Sequence, residues 1–312
     1  MPSKTSKTST KISNKKAQPK LSTKKTIKTK TDKKIISIWQ LTKNSAHLLW
    51  THKKPFIGLA LVYFLLILVF VKGFSLGQSA SSLKHEVNNA LSGSGWQFGG
   101  GAIVLVSLIG EVGAGSSDAA GAYRFFFTVI ISLAIIWSLR QTLANKVFRI
   151  RDALYHGMYP LVQFILVLMV ILIQLIPIII GASLYSIVIG FGIAASALEI
   201  ILWFLVFLGL ASLSFYFLCS SLFALYIVTL PNMTPMSALR SARNLVKGKR
   251  WIIARKILAL PIVLFFIGVL IMLPIIYIAA ALAQYILFLL SILLIFAVHS
   301  YMYLLYRDLV DE

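Results

Sequence analysis

The sequence has few of the residues from which catalytic and metal sites are built. It contains one cysteine, nine Asp and Glu residues and five histidines in 312 residues. A single cysteine, Cys219, excludes a disulfide within the chain and a thiolate metal site. His47 and His52 are five residues apart, which takes them off a shared helix face. No phosphate-binding loop, nucleophile elbow or paired carboxylates are present. We therefore expect no catalytic residues, no metal site and no cofactor, and predict that the protein is not an enzyme.

Apolar residues are abundant and occur in long continuous runs. They make up 59% of the chain, against about 45–50% in soluble domains, and the mean hydropathy is +0.88. This composition is typical of a polytopic membrane protein of the all-α class. We predict six transmembrane helices, arranged as three hairpins, in a membrane domain over 35–306. The predicted spans are 55–71, 123–139, 160–180, 199–230, 257–274 and 281–304.

Three further segments lie outside the predicted spans. Residues 1–34 contain twelve Lys, twelve Ser or Thr and one acid, a composition typical of a disordered tail. This tail is expected to contact anionic lipid; binding to nucleic acid or the ribosome, or regulation by phosphorylation, remain alternatives. Residues 73–122 are glycine-rich and are interpreted as a flexible external loop, with a ligand-binding loop as the alternative. Residues 307–312 form a short acidic tail.

The segment 235–251 predicts a short basic helix before the fifth span. Thr234 is a candidate N-cap, Pro235 suits the first helical position, and Gly248 suits the position after the helix end. Apolar residues fall on one side and cations on the other. Trp251 lies where an aromatic belt residue is expected. Either the helix lies in the plane of the lipid headgroups or it is a loop helix packed on the bundle, and the two alternatives are compatible.

Two other segments repeat this pattern, so that each hairpin is preceded by a cytoplasmic amphipathic interfacial helix. In 35–54 we expect Trp39 and Trp50 on the apolar face and Lys43 opposite it. The second copy surrounds Arg149 and Arg151. The cations of the three units are the candidate contacts with anionic headgroups: Lys43, Lys53, Lys54, Arg149, Arg151, Arg240, Arg243, Lys247, Lys249 and Arg250.

The distribution of positive charge predicts the orientation. Of the 30 Lys and Arg residues, only Lys72, Lys84 and Arg124 fall on the side opposite the other 27. Because cytoplasmic loops carry the excess of Lys and Arg, the 27-charge side is expected to be cytoplasmic. Both termini would then be cytoplasmic, in a multi-pass protein of the plasma membrane.

Few polar groups fall within the predicted spans. His299 is expected to hydrogen-bond or snorkel rather than to relay protons, and Gln174 to hydrogen-bond between helices. Arg140 ends the second span and is expected to snorkel. Pro177 predicts a kink near the far end of the third span, which is followed by an external turn over 181–197. Pro274 is placed near the turn between spans five and six.

The motif A-L-R-S-A-R-N-L-V-K-G at 238–248, after a long span that ends near Pro231, resembles the integral membrane domain fused to glycerophosphodiester phosphodiesterases. Related stand-alone six-span bacterial membrane proteins share it. The resemblance covers about 35–306 and implies a fold that alternates amphipathic segments with pairs of spans. No stretch outside the predicted spans has room for the soluble barrel of about 250 residues, so its metal-binding carboxylates are not carried over.

The sequence therefore leads to two functional hypotheses. The first is a non-enzymatic protein that organises the membrane or acts as a scaffold, holding anionic lipid through its basic helices. The alternative is a transporter for a small neutral or lipid-like solute, suggested by kinks at Pro177 and Pro274 and by Gly181, Gly190 and Gly192. A lipid-modifying enzyme is disfavoured by the missing catalytic residues.

Overall fold

The protein is described by a computed structural model. It covers residues 37–72, 118–193, 196–278 and 280–311, all of which belong to one unit, Ile35–Glu312. The predictions for the tail 1–34 and for residues 73–117 of the glycine-rich loop fall outside the described residues. Where the chain is described, its regular secondary structure is helical, without strands. The expected all-α class is thereby confirmed.

Ten α-helices make up the described part of the chain. Their bounds are α1 (Ile38–Thr51), α2 (Lys53–Ile67), α3 (Asp118–Leu143), α4 (Ile150–Gly157), α5 (Leu161–Gln174), α6 (Ile176–Gly190), α7 (Ala197–Ile227), α8 (Pro235–Val246), α9 (Arg250–Ile278) and α10 (Ala280–Val310). One π-helical turn, Leu68–Lys72, extends α2.

Six helical stretches are long and apolar enough to cross a membrane, as the sequence predicts. They are Lys53–Val71, Ala120–Leu143, Leu161–Gly190, Ala197–Ile227, Arg250–Ile275 and Tyr285–Val310. Their apolar side chains are widely exposed; Leu198 and Leu270, for example, expose 79% and 76% of their surface. Exposure on this scale fits helices whose outer faces meet lipid rather than water.

The third span is longer than predicted. The segment expected to begin an external turn at residue 181 is helical as far as Gly190, so that prediction is wrong over its first ten residues. Helix α6 stays packed on α7: a Cβ at Gly181 would lie 3.2 Å from Leu210 Cδ1. Pro274 lies inside α9, four residues before the helix ends at Ile278, and is therefore near the end of the fifth span as predicted.

Helices α5 and α6 are separated by a break next to Pro177. Pro177 has no backbone N–H, and the helical hydrogen bond from Ile178 N–H to Gln174 C=O is also missing. Instead, the hydroxyl of Ser214 on α7 accepts from Ile178 N at 3.1 Å and donates to Gln174 O at 2.9 Å. The helix is thus interrupted next to Pro177, where a kink was predicted, and one buried hydroxyl satisfies both backbone groups.

Helices α3, α7 and α10 meet at a hydrogen-bonded node. The imidazole of His299 on α10 lies 2.9 Å from the Ser132 hydroxyl of α3 through Nε2, and 3.2 Å from the Tyr226 hydroxyl of α7 through Nδ1. The aromatic rings of Tyr303 and Tyr306 pack around Tyr226. The expectation that His299 is hydrogen-bonded is confirmed, and the node holds three helices together.

The short helices α1, α4 and α8 pack on the three long helices that form the node, α10, α3 and α7. Helix α1 contacts α10, α4 contacts α3, and α8 contacts α7. Among the long helices, α2 contacts α3, α5 and α6 contact α7, and α9 contacts α10. Each of the three helices that form the node therefore also contacts one of the short helices α1, α4 and α8.

Candidate anionic-lipid interface

Helix α8 packs on the bundle through a stripe of small residues. Ala238, Ala242 and Val246 are fully buried and recur every four residues, which places them on one helix face. Arg240 and Lys247 are exposed. The stripe contacts α7 and α5, as the bundle-packed alternative requires. The cations of α8 are on its exposed side.

The ends of α8 are formed as the sequence predicts. The hydroxyl of Thr234 accepts a hydrogen bond from Ser237 N at 3.3 Å, and Pro235 occupies the first turn. Gly248 has a φ of +87°, the left-handed conformation that favours glycine. These local signals fix where the helix starts and where the chain turns into α9.

Helix α1 presents two different faces. Leu41 and Ser45 are buried on one face, and the helix packs on α10. Trp39 and Trp50 expose 73% and 76% of their surface, and Lys43 is exposed as well. We expected Lys43 opposite the tryptophans, and that prediction is wrong. Residues four and seven apart share a helix face, so Lys43 lies on the same face as the two rings.

Helix α4 is held close to α3 by a glycine. A Cβ at Gly157 would lie 3.0 Å from Ala134 Cα, so a larger residue would push the two helix backbones apart. At the other end of α4, the carboxylate of Asp152 accepts a hydrogen bond from Arg149 N at 3.2 Å. The side chains of Arg149 and Arg151 are exposed. Close packing on one side thus leaves both cations on the other.

The ten candidate lipid contacts lie on the outer surface of these three units. Eight are exposed and two, Lys249 and Arg250, are half-buried. Lys53 Nζ lies 5.5 Å from the ring centroid of Trp50, and the Arg250 guanidinium lies 4.4 Å from that of Tyr216. The structure brings Arg243 and Arg250 to one cavity. The candidates on α1, at the start of α2 and around α4 line neither of the two cavities described next.

The first cavity, here called the arginine cavity, has a volume of about 170 Å³. It lies where α5, α7, α8 and the start of α9 converge. Its lining consists of Val170, Gln174, Tyr216, Phe217, Ser220, Ser221, Leu239, Arg243 and Arg250. The side-chain oxygen of Gln174 is buried and accepts no hydrogen bond, although we expected an interhelical one. Arg243 and Arg250 both line this space, and no Asp or Glu does.

A larger cavity of about 630 Å³, here called the Trp137 cavity, is bounded by α3, α4, α5 and the turn after α7. Arg140 lies in its wall. The guanidinium donates to Thr229 O at 3.0 Å through Nη1 and to Thr229 Oγ1 at 2.6 Å through Nη2. We predicted that Arg140 snorkels. Its guanidinium instead contacts the carbonyl and the hydroxyl of Thr229, which are within reach. The ring of Trp137 stacks on His156.

Neither cavity has the donor set of a metal site. Over 37–72, 118–193, 196–278 and 280–311, no three His, Cys, Asp or Glu side chains come together. Cys219 is buried, with 3% of its surface exposed, as expected of a packing residue. The chemistry that the two cavities offer is hydrogen bonding and charge.

Sequence reasoning did not identify Ser214, Tyr216 or Thr229. Each is an ordinary polar or aromatic residue within or beside an apolar run. Their significance lies in partners far away in the sequence, such as Arg140, which is 89 residues from Thr229. The one usable signal is Pro177, because a proline within a span implies that a neighbouring helix supplies a polar group.

Comparison of this chain with models of protein families, with curated proteins and with solved structures gives no match.

Proposed function

We propose that this protein organises the membrane as a non-enzymatic scaffold, holding anionic lipid at its cytoplasmic surface. In this proposal the six spans form three hairpins. A basic interfacial helix (α1, α4 or α8) precedes each hairpin. The observation that carries the proposal is the division of these helices into a face packed on the bundle and an outer face with exposed cations.

Exposed aromatic side chains beside the cations support this proposal. Trp39 and Trp50 flank Lys43, Tyr155 and Tyr159 lie in and after α4, and Trp251 follows Arg250. All five aromatic residues expose between 73% and 88% of their surface. Trp and Tyr are enriched where a membrane meets water, because their rings are apolar and their tips polar. The same surface therefore offers rings to the interface and charges to the headgroups.

The charge distribution gives the expected strength and its dependence on salt. Each Lys or Arg near an anionic surface contributes about 1 kcal/mol, an attraction that decays within a Debye length of about 8 Å at physiological salt. Several such cations together would select anionic over zwitterionic lipid. We expect this selectivity to fall when salt is added.

The experiment is a lipid-selectivity measurement on the full chain. The protein is reconstituted with spin-labelled phosphatidylglycerol or phosphatidylcholine, and the fraction of each label immobilised at the protein surface is measured. We expect phosphatidylglycerol to be enriched. We also expect the enrichment to decrease when Arg240→Gln and Lys247→Gln are combined. Equal association of the two lipids with the unmodified protein would contradict the proposal.

A matched control is available at the end of α10. Arg307 Nε lies 3.5 Å from the carboxylate of Asp311. Arg307 lies outside the three basic helices and is paired with a carboxylate, so Arg307→Gln should change the enrichment much less than the α8 variants do. If this variant lowers the enrichment as much as the α8 variants do, net charge rather than the basic helices attracts the lipid.

Orientation and localisation are part of the same proposal. The basic helices face the cytoplasm and the protein resides in the plasma membrane, as the excess of Lys and Arg on one side suggests. The resemblance to the membrane domain of glycerophosphodiester phosphodiesterases fits this arrangement. Thiol labelling of the separate Ser241→Cys and Gly190→Cys variants, from either side of the membrane of intact cells, tests it. Labelling of Ser241→Cys from outside the cell would reverse the orientation.

A second candidate function is transport of a small neutral or lipid-like solute. The volume of the Trp137 cavity, about 630 Å³, favours it. Each cavity also borders one short basic helix, α4 or α8, as expected of a site at the cytoplasmic surface in the scaffold proposal. Proteoliposomes loaded with a neutral fluorescent lipid or solute provide the test. Movement across the bilayer that depends on the protein would replace the scaffold proposal.

The basic tail 1–34 is proposed to add to the contact with anionic lipid, with nucleic acid or the ribosome as the alternative partner. Its twelve Lys residues suit either polyanion, because counterion release drives both kinds of binding. Vesicles with and without anionic lipid, in competition with RNA, separate the two. Binding that follows RNA and ignores lipid composition would favour the alternative.

A further inference from the structure

We propose that the arginine cavity is a discrete binding site for the phosphate of an anionic phospholipid whose headgroup carries a hydroxyl group. Phosphatidylglycerol is the simplest lipid of this class. The inference deepens the proposed function, on which it rests for the presence of anionic lipid at this surface. It differs in predicting one defined site rather than a diffuse attraction.

Two arginines at one cavity without a carboxylate give it a clear preference for anions. Arg243 comes from α8 and Arg250 from the first turn of α9. A guanidinium carries five N–H donors in one plane, and this geometry matches the oxygens of a phosphate. The Tyr216 ring lies 4.4 Å from the Arg250 guanidinium. Stacking of this kind holds the guanidinium plane in position while its N–H groups stay available at the edge.

The remaining polar groups define the second half of the ligand. The hydroxyls of Ser220 and Ser221 donate to Phe217 O at 3.0 and 3.2 Å, so their oxygens are left as acceptors. The buried side-chain oxygen of Gln174 is a third acceptor. Acceptors beside a phosphate require a donor on the ligand. A hydroxyl on the headgroup meets this requirement, whereas the trimethylammonium of phosphatidylcholine carries no hydrogen-bond donor.

An apolar border indicates that the phosphate belongs to a lipid. Val170, Phe217 and Leu239 line the cavity beside its polar groups. Neighbouring side chains on α5 are open to the outside: Met169 and Ile173 each expose 59% of their surface. An acyl chain can follow this surface while the headgroup occupies the cavity. A free phosphate ester would use the same arginines without gaining this apolar contact.

The test is a titration of the purified full chain in a neutral detergent, followed by native mass spectrometry. The probes are phosphatidylglycerol, phosphatidylmethanol, which is anionic and lacks the hydroxyl, and phosphatidylcholine. We expect one phosphatidylglycerol to bind more tightly than either of the others. Arg243→Gln combined with Arg250→Gln should weaken this binding about tenfold or more.

Two variants distinguish lipid binding in the cavity from a general effect of the surrounding positive charge. Arg255→Gln removes an exposed cation of α9 that does not line the cavity and is not one of the ten candidate contacts, and it should leave the affinity within about twofold of wild type. Gln174→Leu should reduce the preference for phosphatidylglycerol over phosphatidylmethanol. A loss with Arg255→Gln equal to that of the double variant would overturn the inference. So would an unchanged preference in Gln174→Leu.

Competition with a soluble ester identifies the source of the phosphate. Glycerol 3-phosphate should displace phosphatidylglycerol poorly, because it lacks the acyl chains. Efficient displacement would show that the site serves a soluble phosphate ester, against the lipid assignment. Spin-label enrichment in the double variant distinguishes the two proposals. If the enrichment persists while the single site is lost, the cavity is confirmed. If the single site is absent in wild type but enrichment is present, only the diffuse interaction stands.

Discussion

The hydroxyl of Ser214 bridges the break at Pro177, and its removal is expected to destabilise the helix bundle. Ser214→Ala leaves Ile178 N–H and Gln174 C=O without their partners in a site where Ser214 exposes 1% of its surface. An unsatisfied buried polar group costs about 1–3 kcal/mol. Interhelical hydrogen bonds within membranes average nearer 0.6 kcal/mol. For two bonds made by one hydroxyl we expect a loss of about 1–3 kcal/mol in the free energy of unfolding.

The measurement is reversible unfolding in mixed micelles with an increasing mole fraction of denaturing detergent, followed by circular dichroism. Ser220→Ala is the matched control, since its hydroxyl bonds only Phe217 O within its own helix. We expect a loss below about 0.5 kcal/mol for the control, because that bond competes with water and with the helix itself.

A double variant tests the mechanism rather than the size of the effect. Pro177→Ala returns an N–H to the chain and lets the helix continue, so that Ile178 N–H can bond Gln174 O directly. In that background Ser214→Ala should cost much less than it does alone, giving a coupling energy of about 0.5–3 kcal/mol. Additive losses, or a Ser214→Ala variant no less stable than Ser220→Ala, would refute the bridging role.

Three further predictions address packing, the node and the lipid surface. Gly157→Ala places a methyl group 3.0 Å from Ala134 Cα and should lower the unfolding free energy by about 1–3 kcal/mol. Gly209→Ala, where a Cβ meets nothing within 4 Å, should raise it by up to about 1 kcal/mol; the same unfolding assay compares the two. Tyr226→Phe removes the hydrogen bond to His299 and should cost about 0.5–1.5 kcal/mol, and an unchanged unfolding midpoint would mean that the node does not stabilise the bundle. Raising the salt concentration from 0.1 to 1 M shortens the Debye length from about 10 to 3 Å and should abolish most of the phosphatidylglycerol enrichment; a salt-independent enrichment would exclude the electrostatic mechanism.

Local sequence signals determined the architecture of this protein. Six long apolar runs are sufficient to predict six helices, because a backbone in lipid must satisfy its hydrogen bonds within the helix. Thr234, Pro235 and Gly248 predicted the ends of α8 correctly, since caps depend on residues within one turn of each other. The charge asymmetry and the basic character of α1, α4 and α8 can also be predicted from the sequence.

Only the tertiary structure decided which of these helices meet and what lies between them. His299 and Ser132 are 167 residues apart, and Arg140 and Thr229 are 89 apart. No local pattern relates such pairs, because the apolar faces of the spans are nearly uniform and allow many packings. The third span likewise extends beyond residue 180, its predicted end, and α6 packs on α7 at Gly181. Hydropathy thus determined that the chain forms six helices long and apolar enough to span a membrane. The roles of Ser214, Arg243 and Arg250 depend on packing, because only packing places their partners beside them.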